Sequence, residues 1–125
     1  MPFSTGLISN TSSTGIASAN VVVNARNITN VEALVLIEVY VVPESTQTLN
    51  MAYLTGFMLA AKSSGTREFF IGGAIAYEVQ LSVVGPVTEV VLSVFGLDES
   101  GNIVHGHRVL HEELTVISTL STSPE

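Results

Sequence analysis

The stretch "AIAYEVQLSVVGPVTEVVLSVFGL" (74–97) constrains this chain more than any other. Apolar and polar residues alternate on both sides of Gly85-Pro86. In an extended chain Val79, Leu81 and Val83 share one face, and Glu78, Gln80 and Ser82 share the other. Past the turn, Val90, Leu92 and Val94 point inward, while Glu89, Val91 and Ser93 point outward. A period of two does not fit an amphipathic helix and is the mark of a half-buried strand. Two such strands across a tight Gly-Pro turn call for a partner sheet to cover the apolar face.

The same signals recur along the chain. "SANVVVNARNI" and "VEALVLIEVYVV" (31–42) read as strands, the second ended by Pro43. "REFFI" is a strand, "GG" at 72–73 a break and "DESGN" (98–102) a hairpin turn. "LNMAYLTGFMLAA" (49–61) reads as two short strands, with one helical turn as the alternative, because Thr55 and Gly56 interrupt any helical face. "IVHGHRVLHEELTVIS" (103–118) reads as the last strand, bulged at Gly106. Seven to eight strands at this spacing predict an all-β fold, a jelly-roll or Ig-like β-sandwich. An extended arm (1–10) and a Ser/Thr/Gly-rich flexible linker (11–16) precede the sandwich domain (17–119), and a tail (120–125) follows it.

Composition narrows the function. Charged residues are only 12% of the chain and hydrophobic ones 46%, with a mean hydropathy of +0.50. No apolar run reaches the about 20 residues of a membrane-spanning helix, so the surplus apolar surface points to self-assembly. The net charge is −7 and the four cations, Arg26, Lys62, Arg67 and Arg108, are scattered, which excludes a phosphate-binding surface for nucleic acid. The chain has no cysteine, hence no disulfide framework. "MPFSTGLISNTSSTG" has neither a basic leader nor a long apolar core, so no secretory signal peptide is recognisable. The sequons at Asn10 and Asn27 matter only in a glycosylating host.

"HGHRVLHEE" (105–113) is the one stretch that suggests chemistry. On a regular strand His105, His107 and His111 would face the same way. His105, His107 and Glu112 match the core His-x-His…Glu spacing of cupin metal sites, which would make the protein a metal-dependent enzyme. The rest of that pattern is missing: Glu99 stands where the glycine belongs, and no histidine follows His111. Strand rise puts His111 roughly 13 Å from His107 and roughly 20 Å from His105, too far to share an ion. The expectation is therefore no metal and no cofactor, with the histidines forming an exposed or interface polar strip. No Gly-x-Ser-x-Gly elbow is present, "GG" is followed by no helix, and Asp98–Glu99 and Glu112–Glu113 read as solvated groups. The chain is read as non-enzymatic. A ligand-binding sandwich is the other alternative, although three tyrosines and no tryptophan offer little for sugar stacking.

"PFSTGLISN" and "VFGLDESGNIVHGHRVLHEELTVI" resemble small β-rich proteins of the spore surface of endospore-forming Gram-positive bacteria, including subunits of endospore appendage fibres. That resemblance implies a jelly-roll-like subunit that polymerises head-to-tail with itself by inserting its arm into a neighbour. It also implies an anchoring protein on the spore surface as a further partner. The better-known appendage subunits cross-link through cysteines in their arms; here the absence of cysteine leaves non-covalent contacts. Assembly in a mother cell that lyses would place the protein outside without a signal peptide. In the arm, Phe3, Leu7 and Ile8 are the bulky apolar side chains after Met1 and the expected interface residues. The parts fit strand addition to a sheet edge, since a linker of six residues spans at most roughly 20 Å.

Overall fold

The computed structural model describes residues 2–12, 15–84 and 89–121. The Gly85-Pro86 turn, positions 13 and 14 of the linker and positions 122–125 of the tail lie outside them.

The strands are β1 (Pro2–Ser4), β2 (Ile8–Ser9), β3 (Thr11–Ser12), β4 (Gly15–Ile16), β5 (Asn20–Asn27), β6 (Ala33–Pro43), β7 (Asn50–Leu59), β8 (Ser64–Phe70), β9 (Ala74–Val84), β10 (Val90–Leu97), β11 (Ile103–Val109) and β12 (Thr115–Val116). One sheet runs β12-β1-β9-β6-β7, with β2 beside β1 on the same edge of β9; the other runs β11-β10-β5-β8. The pairings are antiparallel. The protein is an all-β sandwich, as the alternation predicts, with seven long strands, β5 to β11, making its body.

The inward faces of β9 and β10 are the expected ones. Val35, Ile37 and Val39 of β6 and Val79, Leu81 and Val83 of β9 meet Val21, Val23 and Ala25 of β5 and Val90, Leu92 and Val94 of β10 in one core. Burying each Val, Leu or Ile side chain contributes about 1.5–3 kcal/mol. β-Branched valine fits such positions because its restricted χ1 suits a pleated surface.

Four expectations change. Residues 49–61 form one strand, not two strands or a helical turn. Thr55 and Gly56 continue the ladder opposite Ile37 and Leu36, and a side chain at Gly56 would come within 2.9 Å of the Leu36 methyl. The "interrupting" glycine thus makes room for a neighbouring leucine.

Residues 103–118 are not one strand. β11 stops at Val109, a single 3-10 turn occupies His111–Glu113, and β12 joins the opposite sheet against Phe3. Glu113 closes the turn by accepting a hydrogen bond from the Leu110 N–H at 2.9 Å, so the carboxylate run read as solvated partly serves to redirect the chain.

The described residues of the linker pair with one another as two short strands: Thr11 with Ile16 and Ser12 with Gly15. The tail begins later than residue 120. Leu120 is buried, and Ser121 donates its N–H to Gln80 Oε1 at 2.8 Å while its Oγ accepts from Gln80 Nε2 at 2.7 Å.

Candidate functional site

The arm docks on its own domain. β1 lies between β9 and β12, with Phe3 opposite Leu81 on one side and Val116 on the other; β2 continues along β9, with Ile8 opposite Tyr77 and Ser9 opposite Ala76. Gly6, at φ +74°, kinks the chain between them. Phe3 and Ile8 pack on the core, whereas Leu7 points to solvent at 62% exposure. The three expected interface residues therefore divide: two are partly buried and one is exposed.

Polar side chains hold both ends of this arm. At the β1 end, Ser4 Oγ donates to Glu78 Oε2 at 2.5 Å, and Gln80 Nε2 donates to the same oxygen at 3.0 Å. At the β2 end, Asn10 is fully buried. Its Nδ2 donates to the carbonyls of Ser18 and Ala74, both at 3.0 Å, and its Oδ1 accepts from the Ser18 N–H at 2.7 Å. Asn10 thereby closes the β3–β4 hairpin and ties it to β9. Asn27 does similar work at the other end of the sandwich, donating to the carbonyls of Val31, Leu59 and Ala60. Both sequons thus lie on asparagines whose amide nitrogens are buried and engaged, so neither is open to a glycan in the folded chain.

The histidines part company. Between Phe95, opposite Arg108, and Leu97, opposite Ile103, β10 has one residue and β11 has four. Gly106, at φ +87°, sits in this bulge, and the extra residues break the alternation. His105 stays exposed. His107 turns inward to 8% exposure. His111 lies in the 3-10 turn, where its Nδ1 accepts the Leu92 N–H at 3.1 Å and its ring packs 5.4 Å from Phe3. The shared face expected of a regular strand is gone. Among the described residues no group of three or more His, Cys, Asp or Glu side chains is placed to hold a metal.

The exposed-strip expectation also fails for His107. Its Nδ1 lies 2.7 Å from Ser18 Oγ and 3.1 Å from Tyr77 Oη, and the ring also hydrogen-bonds the Ser9 backbone. Gly96 admits this cluster, since a side chain there would collide with Ser18 and come within 3.1 Å of Tyr77 Oη. Burial lowers the His107 pKa from its ordinary 6.5, and the Ser9 bond opposes that only in part. Burial likewise pushes Tyr77 up to about 12 against a smaller opposing effect of its bond to Ser18. The pH consequences have definite signs. The unfolded chain protonates His107 at a pH where the folded chain does not, so this contribution to stability is intact above 6.5 and is lost as pH falls toward the folded pKa. The Tyr77 contribution is intact below 10.0 and is lost as pH rises toward about 12.

The two kinds of histidine should respond differently to substitution. His105→Gln should shift stability by about 0.5 kcal/mol or less, as exposed substitutions do. His107→Phe leaves the Ser18 and Tyr77 hydroxyls facing a hydrocarbon and should cost about 1–3 kcal/mol. Urea unfolding of the two variants checks this, and equal effects would contradict the inward placement of His107.

Sequence reasoning missed Asn10, Ser18 and Tyr77. Asn10 read as a linker sequon, and Ser18 was one small polar residue among many. The one available signal was Gly106 between two histidines, which predicts a bulge but not which histidine turns in. An open cleft of about 790 Å³ lies at this end of the sandwich, its lining including Ile16, Phe70, Asp98, Ile103 and His105. Asp98 Oδ1 is engaged there by the N–H groups of Ser100 and Asn102, both at 2.9 Å, so it serves its own hairpin. No protein-family model, curated protein or solved structure matches the chain.

Proposed function

We propose that this protein is a structural, self-assembling subunit whose arm (2–10) leaves its own sheet and fills the same slot in a neighbouring copy, building a head-to-tail fibre. The observation that carries this reading is the arm's placement: a strand at the chain's start, inserted between β9 and β12 and joined to the body by a short hairpin. Exchange between copies keeps every arm contact and alters only the hairpin, which is the usual condition for strand swapping at low free-energy cost. Passing the arm from each copy to the next is heterologous, and heterologous contacts propagate into rings or open filaments. Exposed apolar side chains away from the arm, such as Leu54, Met58 and Val84, supply surface for contacts along a fibre. The likeness of "PFSTGLISN" and the "RVLHEEL" segment to endospore-surface proteins favours the spore surface as the fibre's place, with an anchoring protein there as the further partner.

The test uses the absence of cysteine. Ser9→Cys with Ala76→Cys places one thiol on the arm and one opposite it on β9. Oxidised after assembly, the double variant should give a ladder of covalently linked chains, and electron microscopy should show filaments. If oxidation at high protein concentration closes only bonds within single chains and no filament forms, the reading is wrong.

A further inference from the structure

We propose that His107, Ser18 and Tyr77 form an acid-released latch that holds the arm and its hairpin in the chain's own sheet. One imidazole touches three separate pieces of the arm's attachment: the Ser9 backbone in β2, Ser18 where the hairpin returns to the body, and Tyr77 on β9 opposite Ile8. Ser18 is in turn held by both ends of the Asn10 side-chain amide.

The contact geometry depends on protonation. In the neutral tautomer protonated at Nε2, Nδ1 has one lone pair, and two hydroxyls crowd it at 2.7 and 3.1 Å. Both hydroxyls can donate toward that lone pair only while Nδ1 is unprotonated. An imidazolium carries N–H at both nitrogens, so the Ser18 and Tyr77 protons would have to turn away inside a buried space. A cation there has little compensation. The titratable side chain bonded to the ring from a neighbouring element is Tyr77, which stays a neutral phenol; Ser18 and the Ser9 backbone carry no charge, and Gly96 of β10 contributes no side chain. Arg108, next to His107 on β11, is exposed to solvent while His107 is buried. Glu78, the acid that also holds the arm, bonds Ser4 at its far end. Protonation therefore opposes the latched arrangement, in line with the lowered pKa of His107.

The consequence is local. The ring sits in the bulge of β11, where the core residue it bonds is Tyr77. Acidification releases the arm and hairpin first and leaves the core paired. Coupling that release to polymerisation rests on the fibre reading above; the latch itself does not.

Hydrogen exchange on the full chain, kept monomeric by dilution, tests the latch apart from any fibre. The reporters are the amides of Thr5, Asn10 and Ala17, which donate to Val79, Ile75 and Asn10, with the amides of β6 as the reference. As pH is lowered from about 7.5 to about 5, across the ordinary imidazole range, and after correction for intrinsic exchange, the arm amides should lose protection while the β6 amides keep theirs. In His107→Gln, which does not titrate, that pH response should vanish. If His107→Gln does not fold, Tyr77→Phe replaces it: the titrating ring remains with one tie removed, so arm protection should start lower and still fall with acid. Arm amides that stay protected at about pH 5, or an unchanged response in His107→Gln, would overturn the latch. Failure to form filaments with the acid response intact would overturn the fibre reading alone.

Discussion

Leu81→Ala and Leu92→Ala should each lower the unfolding free energy by about 2–5 kcal/mol. Both side chains are fully buried, one from each sheet, in the single core between β9 and β10. Each truncation removes contacts from both layers, and neither site can close up easily, because strands on either side of β9 and β10 hold the backbone apart. A domain of this size has only about 5–15 kcal/mol in total, so either change uses up a large part of the margin. Leu81 carries a second consequence, since it pairs with Phe3. Its loss should loosen the arm as well as the core, and Leu92→Ala should not. Urea denaturation gives the stabilities. A loss below about 1 kcal/mol at both positions would mean that the inward face has been misassigned.

Gly96→Ala should be nearly as damaging, although it adds only a methyl group. The new carbon would meet the Ser18 side chain and approach Tyr77 Oη. Overpacking of this kind costs about 1–3 kcal/mol. The displaced hydroxyls would then lose His107, and each buried hydroxyl left without a partner adds about 1–3 kcal/mol. A compensating change identifies the cause. Ser18→Gly removes the colliding atoms, so Gly96→Ala with Ser18→Gly should be more stable than the sum of the two single losses implies, by an interaction energy of about 0.5–3 kcal/mol. Strict additivity in thermal or urea unfolding would show that Gly96 is needed for another reason.

The sandwich was legible because two-residue periodicity is a local signal that burial of one face enforces. Val79, Leu81, Val83, Val90, Leu92 and Val94 could be assigned from spacing alone. Signals that depend on a distant partner were not legible. Gly56 looked like an interruption because the leucine that fills its space is twenty positions earlier. His107 looked exposed because strict alternation carries it with His105, and the bulge that separates them depends on how β11 pairs with β10. Asn10 and Ser18 carry no pattern at all; their value comes from carbonyls and rings brought in from 74 and 107. The arm's apolar residues stood out in the sequence, but sequence could not say which sheet receives them or that Leu7 remains outside.

The position of β1 between β9 and β12 also sets an order of events during synthesis. Ser4 and its partner Glu78 are 74 residues apart, and Val116, opposite Phe3, is made later still. At a translation rate of about 5–20 residues per second, the arm emerges on the order of 4–15 seconds before the strand that will receive it. β1 is thus made before both strands that flank it and can be placed only after they emerge. During that wait its apolar side chains have no native partner on their own chain, while on a polysome neighbouring nascent chains are close by. If copies exchange strands as proposed above, that interval and the local concentration of copies during it bear on which strand fills the slot.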